Sequence, residues 1–274
     1  MTTKINNPSE YKISDLVHNG ELYDYINRSD DDLEFYKKWC SISKSKTSNS
    51  NSNNGSTDST CLELCSGTGR LTIPLAQSGI DIVGVDYTES MLKRASEKAQ
   101  AKNIAITFVQ QDIRELQLKH LNKNFCLIFI PFNSLQCLYS LDDLERFFKQ
   151  VKAHMANDGL FIVDIFNPNI KIMIDRSIGW KNMINFKMDN GKEVKITEQC
   201  NYDAASEINR VKWKHSIDGE ETIEQLDMRC FWPLEMDAIL KYNGFEVIHK
   251  FGNFDESKFT SDSPKQIYVL KKAR

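Results

Sequence analysis

A turn built on two closely spaced glycines constrains this chain most. It lies in the segment Cys61-Leu-Glu-Leu-Cys-Ser-Gly-Thr-Gly-Arg70, where an apolar run leads into Gly67 and Gly69. An apolar run of this length is typical of a buried strand, and the glycines let the backbone turn tightly and approach a ligand without interference from a Cβ atom. The next segment begins a helix whose N-terminus points at whatever lies over the glycines. The sequence therefore predicts a strand, a tight turn and a helix, with a ligand at the turn.

A carboxylate at the end of the next apolar run indicates what kind of ligand this is. The run Asp81-Ile-Val-Gly-Val-Asp86 stops on an acid, which in a nucleotide-binding βαβ unit is placed to bond ribose hydroxyls. Dinucleotide folds also need a third glycine for close helix packing, and Thr72 occupies that position. A helix-capping role at a strand end is the structural alternative for Asp86.

Composition excludes several classes of partner. The 274 residues include 35 basic and 38 acidic side chains, a net charge of −3, and no basic block, so we expect no nucleic acid partner. The apolar runs are strand-sized and the N-terminus has no secretory segment, which predicts a cytoplasmic protein that does not cross a membrane. Seven scattered cysteines and five isolated histidines predict reduced thiols and no metal site.

The chain divides into three predicted parts. Residues 1–40 form an N-terminal helical cap, residues 41–59 a disordered Ser/Asn-rich loop, and residues 60–274 an α/β domain. An antiparallel meander with period-two alternation, at residues 181–231, is inserted into that domain and is expected to act as a lid.

Strands and helices alternate in the α/β domain as a parallel sheet requires. The predicted strands are residues 60–65, 81–86, 104–110, 125–130, 159–166, 245–251 and 266–271. The predicted helices are residues 69–78, 88–101, 141–155 and 233–243. A turn is expected at Asn157-Asp-Gly159, just before the fifth strand.

The glycine turn resembles the first motif of the class I S-adenosylmethionine-dependent methyltransferases, acid-x-Gly-x-Gly-x-Gly. The matching residues are Glu63, Cys65, Gly67 and Gly69, with Cys65 in place of the first glycine, which suggests a slightly less tight turn. The resemblance implies a Rossmann-like seven-stranded methyltransferase sheet with an antiparallel C-terminal hairpin. It also implies S-adenosylmethionine as cofactor, S-adenosylhomocysteine as product and no metal.

The resemblance further implies which residues contact the cofactor. Glu63 orders the glycine loop below the methionine part, Asp86 binds the ribose, and Asp112 bonds the adenine amine. The full implied set is Tyr23, Glu63, Cys65, Gly67, Gly69, Arg70, Asp86, Tyr87, Met91, Asp112, Ile113 and Pro131. The residues themselves also allow structural roles: a core aromatic for Tyr23, helix core for Met91 and a turn residue for Asp112.

The reacting end of the site is expected where the fourth and fifth strands stop. Pro131 ends the fourth strand and leaves Phe132 and Asn133 at the carboxyl edge, beside the reactive methyl group in the family. Asp164, near the end of the fifth strand, is a candidate to bind a cationic amine. The alternatives are a helix cap for Asn133 and bonds to loop amides for Asp164.

The expected activity is N-methylation of an amine on a small molecule or a peptidic natural product, with an N-terminal α-amine as the best guess. The segments Ile130-Pro-Phe-Asn-Ser-Leu-Gln136 and Asp164-Ile-Phe-Asn-Pro168 resemble those of natural-product N-methyltransferases, including the plantazolicin-type peptide enzymes. Trp39 and Trp213 are the expected aromatic substrate contacts. O-methylation of a small metabolite is the alternative within the class.

Two other classes of function compete with this interpretation. A nicotinamide-dependent oxidoreductase is disfavoured by Thr72 and by the C-terminal hairpin. A non-enzymatic nucleotide-binding module keeps the same glycine turn and differs only in lacking turnover.

Overall fold

The structure, a computed structural model, describes residues 20–49 and 59–273. Its helices are α1 (Gly20–Ile26), α2 (Leu33–Asn49), α3 (Thr72–Gln77), α4 (Glu89–Ala101), α5 (Leu141–His154), α6 (Ile170–Ser177) and α7 (Pro233–Tyr242). Its strands are β1 (Thr60–Leu64), β2 (Ile82–Asp86), β3 (Thr107–Gln110), β4 (Phe125–Ile130), β5 (Met155–Phe166), β6 (Lys181–Lys187), β7 (Glu193–Asp203), β8 (Ile208–Ile217), β9 (Glu220–Arg229), β10 (Phe245–Phe251) and β11 (Lys265–Lys272).

Two compact units divide these elements. The seven-stranded unit comprises the described parts of residues 28–135, 141–167 and 232–273. The four-stranded unit comprises residues 20–27, 136–140 and 168–231. Each unit is held together by its own sheet.

The seven-stranded unit is a mixed sheet in the order β10-β11-β5-β4-β1-β2-β3. Strands β1 to β5 are parallel, whereas β11 is antiparallel to both β5 and β10. All residues of β1, β2 and β4 are buried, as expected for parallel strands covered on both faces. This is the predicted Rossmann-like sheet with an antiparallel C-terminal hairpin, and the carboxyl ends of its parallel strands meet at one edge.

The predicted loop at residues 41–59 is wrong in its first half, because α2 continues to Asn49. The helix keeps one apolar face past its aromatic start, since Cys40 and Ser43 are buried and Ile42 packs on the core. The hydroxyl of Ser45 bonds the carbonyl of Ile42, so a serine that weakens helix propensity still has a helical partner. Residues 50–58 of the predicted loop, and residues 1–19 of the predicted cap, lie outside the described residues.

The predicted turn at residues 157–159 is also wrong, because these residues belong to β5. The register of β4 on β5 shifts between Phe125 and Leu127, so this part of β5 is irregular. A Cβ on Gly159 would lie 2.9 Å from the carbonyl oxygen of Phe125, which explains the glycine. The other predicted elements match the observed ones apart from a few residues at their ends.

The four-stranded unit is an antiparallel sheet in the order β6-β7-β8-β9, as the alternating pattern predicts. Its hairpin between β8 and β9 turns at Asp218 and Gly219, whose φ angles are 50° and 89°, typical of a tight hairpin. Helix α6 packs on β7, where Arg176 pairs with Glu198. The role of residues 181–231 as a lid stays a prediction.

Within the described ranges, no helix combines the length and apolar character needed to cross a membrane.

Candidate functional site

The glycine turn between β1 and α3 presents open space above its backbone. Gly67 and Gly69 have φ angles of 53° and 76°. A Cβ on Gly69 would lie 2.9 Å from Cδ1 of Ile73, whereas a Cβ on Gly67 would meet nothing within 4 Å. The left-handed backbone at Gly69 favours a glycine, the side chain of Ile73 would have to shift to admit a Cβ there, and Gly67 leaves room for a ligand to approach the chain.

Cys65 takes the backbone conformation that a glycine would have. Its φ is 58°, in the left-handed region that costs a residue with a Cβ roughly 1–2 kcal/mol. The expectation of a slightly less tight turn stays a prediction, and the left-handed conformation of Cys65 carries this cost.

Asp86 joins the glycine turn to the end of β2. Its Oδ2 accepts the backbone N–H of Gly67 and its Oδ1 accepts that of Thr88, each at 2.8 Å. Each carboxylate oxygen retains a further lone pair, so these bonds are compatible with a ribose contact. That contact stays a prediction.

Glu63 lies buried beneath the turn with 3% of its surface exposed. It accepts a short hydrogen bond from the hydroxyl of Thr72. Burial raises the pKa of Glu63 to about 8, against the opposing effect of the Thr72 bond. Burial therefore favours the protonated form of Glu63.

Arg70, directly after the glycines, already has an anionic partner within the seven-stranded unit. Its two terminal nitrogens bond the carboxylate of Asp32 at 2.7 and 2.6 Å. Its Cζ also lies 4.9 Å from the centroid of the Phe132 ring. The anionic partner of this arginine is thus a carboxylate of the protein itself, and the contact with a cofactor stays a prediction.

Asp112 follows β3 and has the turn role that was its structural alternative. It accepts the backbone N–H of Arg114 at 2.8 Å and caps a short helix over Ile113–Glu115. The guanidinium of Arg114 lowers the pKa of Asp112. Near this end of the site, Met91 is buried on α4 and Tyr87 is 70% exposed. Adenosine contacts from these residues stay predictions.

Two consecutive left-handed residues follow buried Pro131 at the carboxyl edge of β4. Phe132 and Asn133 have φ angles of 57° and 65°. Phe132 is 40% exposed, and Oδ1 of Asn133 is buried with no hydrogen-bond partner among the residues that the structure describes. A helix cap would give that oxygen a donor, so the capping alternative for Asn133 is wrong.

Asp164 has partners within the protein itself, and the prediction that it binds an amine directly stays a prediction. Its side chain is fully buried. Oδ2 accepts the backbone N–H of Phe132 at 3.0 Å, and Oδ1 accepts Nζ of Lys265 at 2.8 Å. The alternative of a bond to loop amides is confirmed, and Lys265 is a partner that the sequence did not indicate.

Trp39 packs in the core of the seven-stranded unit, and its predicted contact with a substrate stays a prediction. It is 5% exposed, and its indole N–H donates to Glu256 at 3.0 Å. Tyr36, one turn earlier in α2, stacks on Phe129 with ring centroids 4.6 Å apart. The apolar face of α2 places both rings inside the seven-stranded unit.

Trp213 and Tyr23 belong to the four-stranded unit. The indole N–H of Trp213 donates to Glu198 at 2.8 Å, and Tyr23 lies in α1. Their contacts with substrate and cofactor stay predictions.

The site fits a polar ligand at the carboxyl edge of the sheet. Gly67 offers open backbone, while the hydroxyl of Tyr36 and Oδ1 of Asn133 are buried without a partner among the described residues. A buried polar atom without a partner costs about 1–3 kcal/mol, which a ligand with matching groups would recover. Within residues 20–49 and 59–273, no group of three or more metal-binding side chains has the geometry to hold an ion.

Comparisons with known proteins show what this chain is similar to. Residues 61–159 match a family described as a methyltransferase domain. The chain is 24% identical over 269 residues to the glycine/sarcosine N-methyltransferase of Aphanothece halophytica, covering 97% of this chain and 95% of the relative.

Solved structures share the fold. A S-adenosylmethionine-dependent methyltransferase from Clostridium acetobutylicum ATCC 824 is similar with a TM-score of 0.73 at 21% identity, covering 95% of this chain and 100% of that chain. The sugar N-methyltransferase KedS8 from Streptoalloteichus sp ATCC 53650 is similar with a TM-score of 0.69 at 15% identity, covering 100% of this chain and 98% of that chain.

Proposed function

We propose that this chain, which carries a class I S-adenosylmethionine-dependent methyltransferase domain, methylates an amine on a small molecule or a peptidic natural product. An N-terminal α-amine is the form of acceptor that we favour. When bound, S-adenosylmethionine would supply a methyl group on a sulfonium, and an unprotonated amine would attack that methyl carbon while the carbon–sulfur bond breaks, S-adenosylhomocysteine leaves and the amine's proton passes to water.

The residues around the glycine turn are those that would hold the cofactor. Asp86 presents two carboxylate oxygens at the end of β2, and Gly67 leaves its backbone open to a ligand. Glu63 supports the turn from below through Thr72. Tyr23, Cys65, Gly69, Arg70, Tyr87, Met91, Asp112, Ile113 and Pro131 complete the proposed set.

The observation that carries the choice of an amine is the buried Oδ1 of Asn133, which lacks a donor among the described residues. An acceptor oxygen at the carboxyl edge can take an N–H of the incoming amine and so orient its lone pair. Alignment of this kind can contribute about 7–11 kcal/mol in favourable cases. A neutral amine is already a nucleophile, so a dedicated base is not required.

Phe132 complements Asn133 by limiting access of water. Its ring is partly exposed beside Arg70 at the same edge, so it offers an apolar surface to the reacting groups. The names of two relatives, a glycine/sarcosine N-methyltransferase and a sugar N-methyltransferase, also favour an amine acceptor.

A panel of paired acceptors tests the proposal. Glycine, sarcosine, an amino sugar and a short peptide with a free N-terminus would each be incubated with S-adenosylmethionine beside a hydroxyl or N-acetylated analogue. We expect S-adenosylhomocysteine and a methylated product, measured by mass spectrometry, from at least one amine and not from its analogue. Methylation of the hydroxyl analogues alone would make the chain an O-methyltransferase.

Variants of Asn133 test the role of its amide. Asn133→Gly keeps the left-handed backbone and removes the acceptor oxygen, and we expect kcat/KM for the amine to fall by about 10–100-fold, the scale of a buried hydrogen bond. Asn133→Asp keeps an acceptor oxygen and serves as the control. Equal kcat/KM in Asn133→Gly and the unmodified chain would refute the role of the amide.

A further inference from the structure

We propose that Lys265 and Asp164 form a positioning pair that holds the Phe132–Asn133 turn and so sets the acceptor side of the site. The inference rests on the proposed function, since it concerns the residues expected to meet the amine. Lys265 touches none of the reacting groups and acts through Asp164.

The turn needs external support because of its backbone. Phe132 and Asn133 are both left-handed, with φ of 57° and 65°, and neither is a glycine. Such conformations persist only where the surrounding structure enforces them, and they cluster at functional sites.

Asp164 supplies that support from the neighbouring strand. Its carboxylate accepts the N–H of Phe132 at 3.0 Å, and its backbone carbonyl accepts the N–H of Asn133 at 3.1 Å. One residue of β5 therefore binds both strained residues, once through its side chain and once through its main chain.

The ammonium group of Lys265 stabilises the buried carboxylate of Asp164. The side chain of Asp164 is fully buried, and Nζ of Lys265 lies 2.8 Å from its Oδ1. The lysine comes from β11, which pairs with β5 in the same sheet. A buried carboxylate that loses its paired cation is strongly unfavourable, and we expect it to move toward water. That movement weakens its hold on Phe132.

Loss of this support would affect two residues at the carboxyl edge of β4. The Phe132 ring lies against Arg70, which follows the glycine turn, and Asn133 carries the amide oxygen that has no partner among the described residues. If the Phe132–Asn133 turn relaxes, both groups move away from the amine substrate. The hydrogen bond between Gly67 and Asp86, which lies on β2 and the glycine turn, is unaffected.

Lys265→Met tests the pair, because methionine keeps much of the stem and removes the charge. With the full chain and the best amine of the acceptor panel, we expect KM for the amine to rise at least about tenfold, since small misplacements have large kinetic effects. The dissociation constant of S-adenosylmethionine should change less than about twofold. Lys250→Met is the matched control, because Lys250 also makes a 2.8 Å ion pair, with Asp237, and is 19% exposed against 20% for Lys265.

A rescue distinguishes positioning from general stability. The double variant Lys265→Met, Asp164→Asn has no unpaired charge at this position. Its asparagine oxygen can still accept the N–H of Phe132, so KM for the amine should return toward the original value. The proposal would be overturned if Lys265→Met lowered the melting temperature but left KM for the amine unchanged. A double variant with no recovery of KM would overturn it as well.

A separate measurement keeps the inference testable if the unmodified chain methylates no amine, the result that would refute the proposed function. If the pair enforces the strained turn, Asn133→Gly relieves that strain, and Lys265→Met should lower the melting temperature less in the glycine background than alone. Equal decreases in both backgrounds would overturn the positioning role independently of any activity.

Discussion

Replacing Glu63 by glutamine should change how stability depends on pH. Glu63 is buried beneath the glycine turn, and burial raises its pKa from 4.5 to about 8. Between these two values the folded protein keeps a proton that the unfolded chain releases. The contribution of Glu63 to stability is therefore greatest below pH 4.5 and is lost as the pH rises through the folded pKa. A glutamine side chain has no ionisable proton, so the Glu63→Gln variant lacks this dependence.

The expected size follows from the shift in pKa. The free energy of unfolding of the unmodified chain, relative to Glu63→Gln, should fall by about 1.4 kcal/mol per pH unit over this window. The total reaches about 5 kcal/mol near pH 8 and stays constant above it. The amide oxygen of the introduced glutamine can still accept the hydroxyl hydrogen of Thr72, so the comparison isolates the ionisation.

Urea unfolding of the cofactor-free protein, followed by tryptophan fluorescence from about pH 5 to about pH 8.5, covers this window and measures the effect. Glu34→Gln is the control, because the side chain of Glu34 is 81% exposed and should leave the pH profile unchanged. Parallel pH profiles for the unmodified chain and Glu63→Gln would refute the reasoning, since they would mean that Glu63 ionises as easily in the folded protein as in the unfolded chain.

Three further changes test other parts of the structure. Asp86→Ala should weaken S-adenosylmethionine binding, measured by calorimetry, by about 1.5–3 kcal/mol, and an unchanged affinity in a folded variant would exclude Asp86 from the cofactor site. Cys65→Gly should stabilise the protein by about 0.5–1 kcal/mol, because the relieved strain exceeds the entropy cost of a glycine; a lower melting temperature would contradict this. Deleting residues 41–49 should lower the melting temperature, because the end of α2 buries Ser43, and no change would show that this helical end contributes nothing.

Local patterns in the sequence were sufficient to predict the strands of the main sheet, whereas the seven-stranded arrangement came from the family resemblance. The apolar run before Gly67 and the acid at Asp86 each report on a neighbouring strand or turn within a few residues, and both lie where predicted. The alternation of polar and apolar residues in 181–231 likewise predicts the antiparallel strands of the second sheet. A sheet with one solvent-exposed face and one buried face imposes a period of two on its strands.

Features that depend on distant residues could not be predicted in this way. The Ser/Asn-rich composition predicted a loop where α2 ends, although Phe35, Trp39 and Ser43 are spaced as one helical face. The aromatic character of Trp39 suggested a ligand contact, whereas its position on that face places it in the core. The partner of Asp164 is 101 residues away, and only the pairing of β11 with β5 brings the lysine to the carboxylate.

The place of β11 in the sheet has a consequence for synthesis of the chain. Translation produces β5 and β10 first, yet the finished sheet has β11 between them. Until β11 emerges from the ribosome, β5 has a free edge of backbone N–H and C=O groups, and such edges pair readily with other chains. Over the same interval the carboxylate of Asp164 lacks its ammonium, which discourages burial of that edge. We therefore expect the nascent protein to be prone to aggregation until β11 is available, and truncation before Lys265 would make that state permanent.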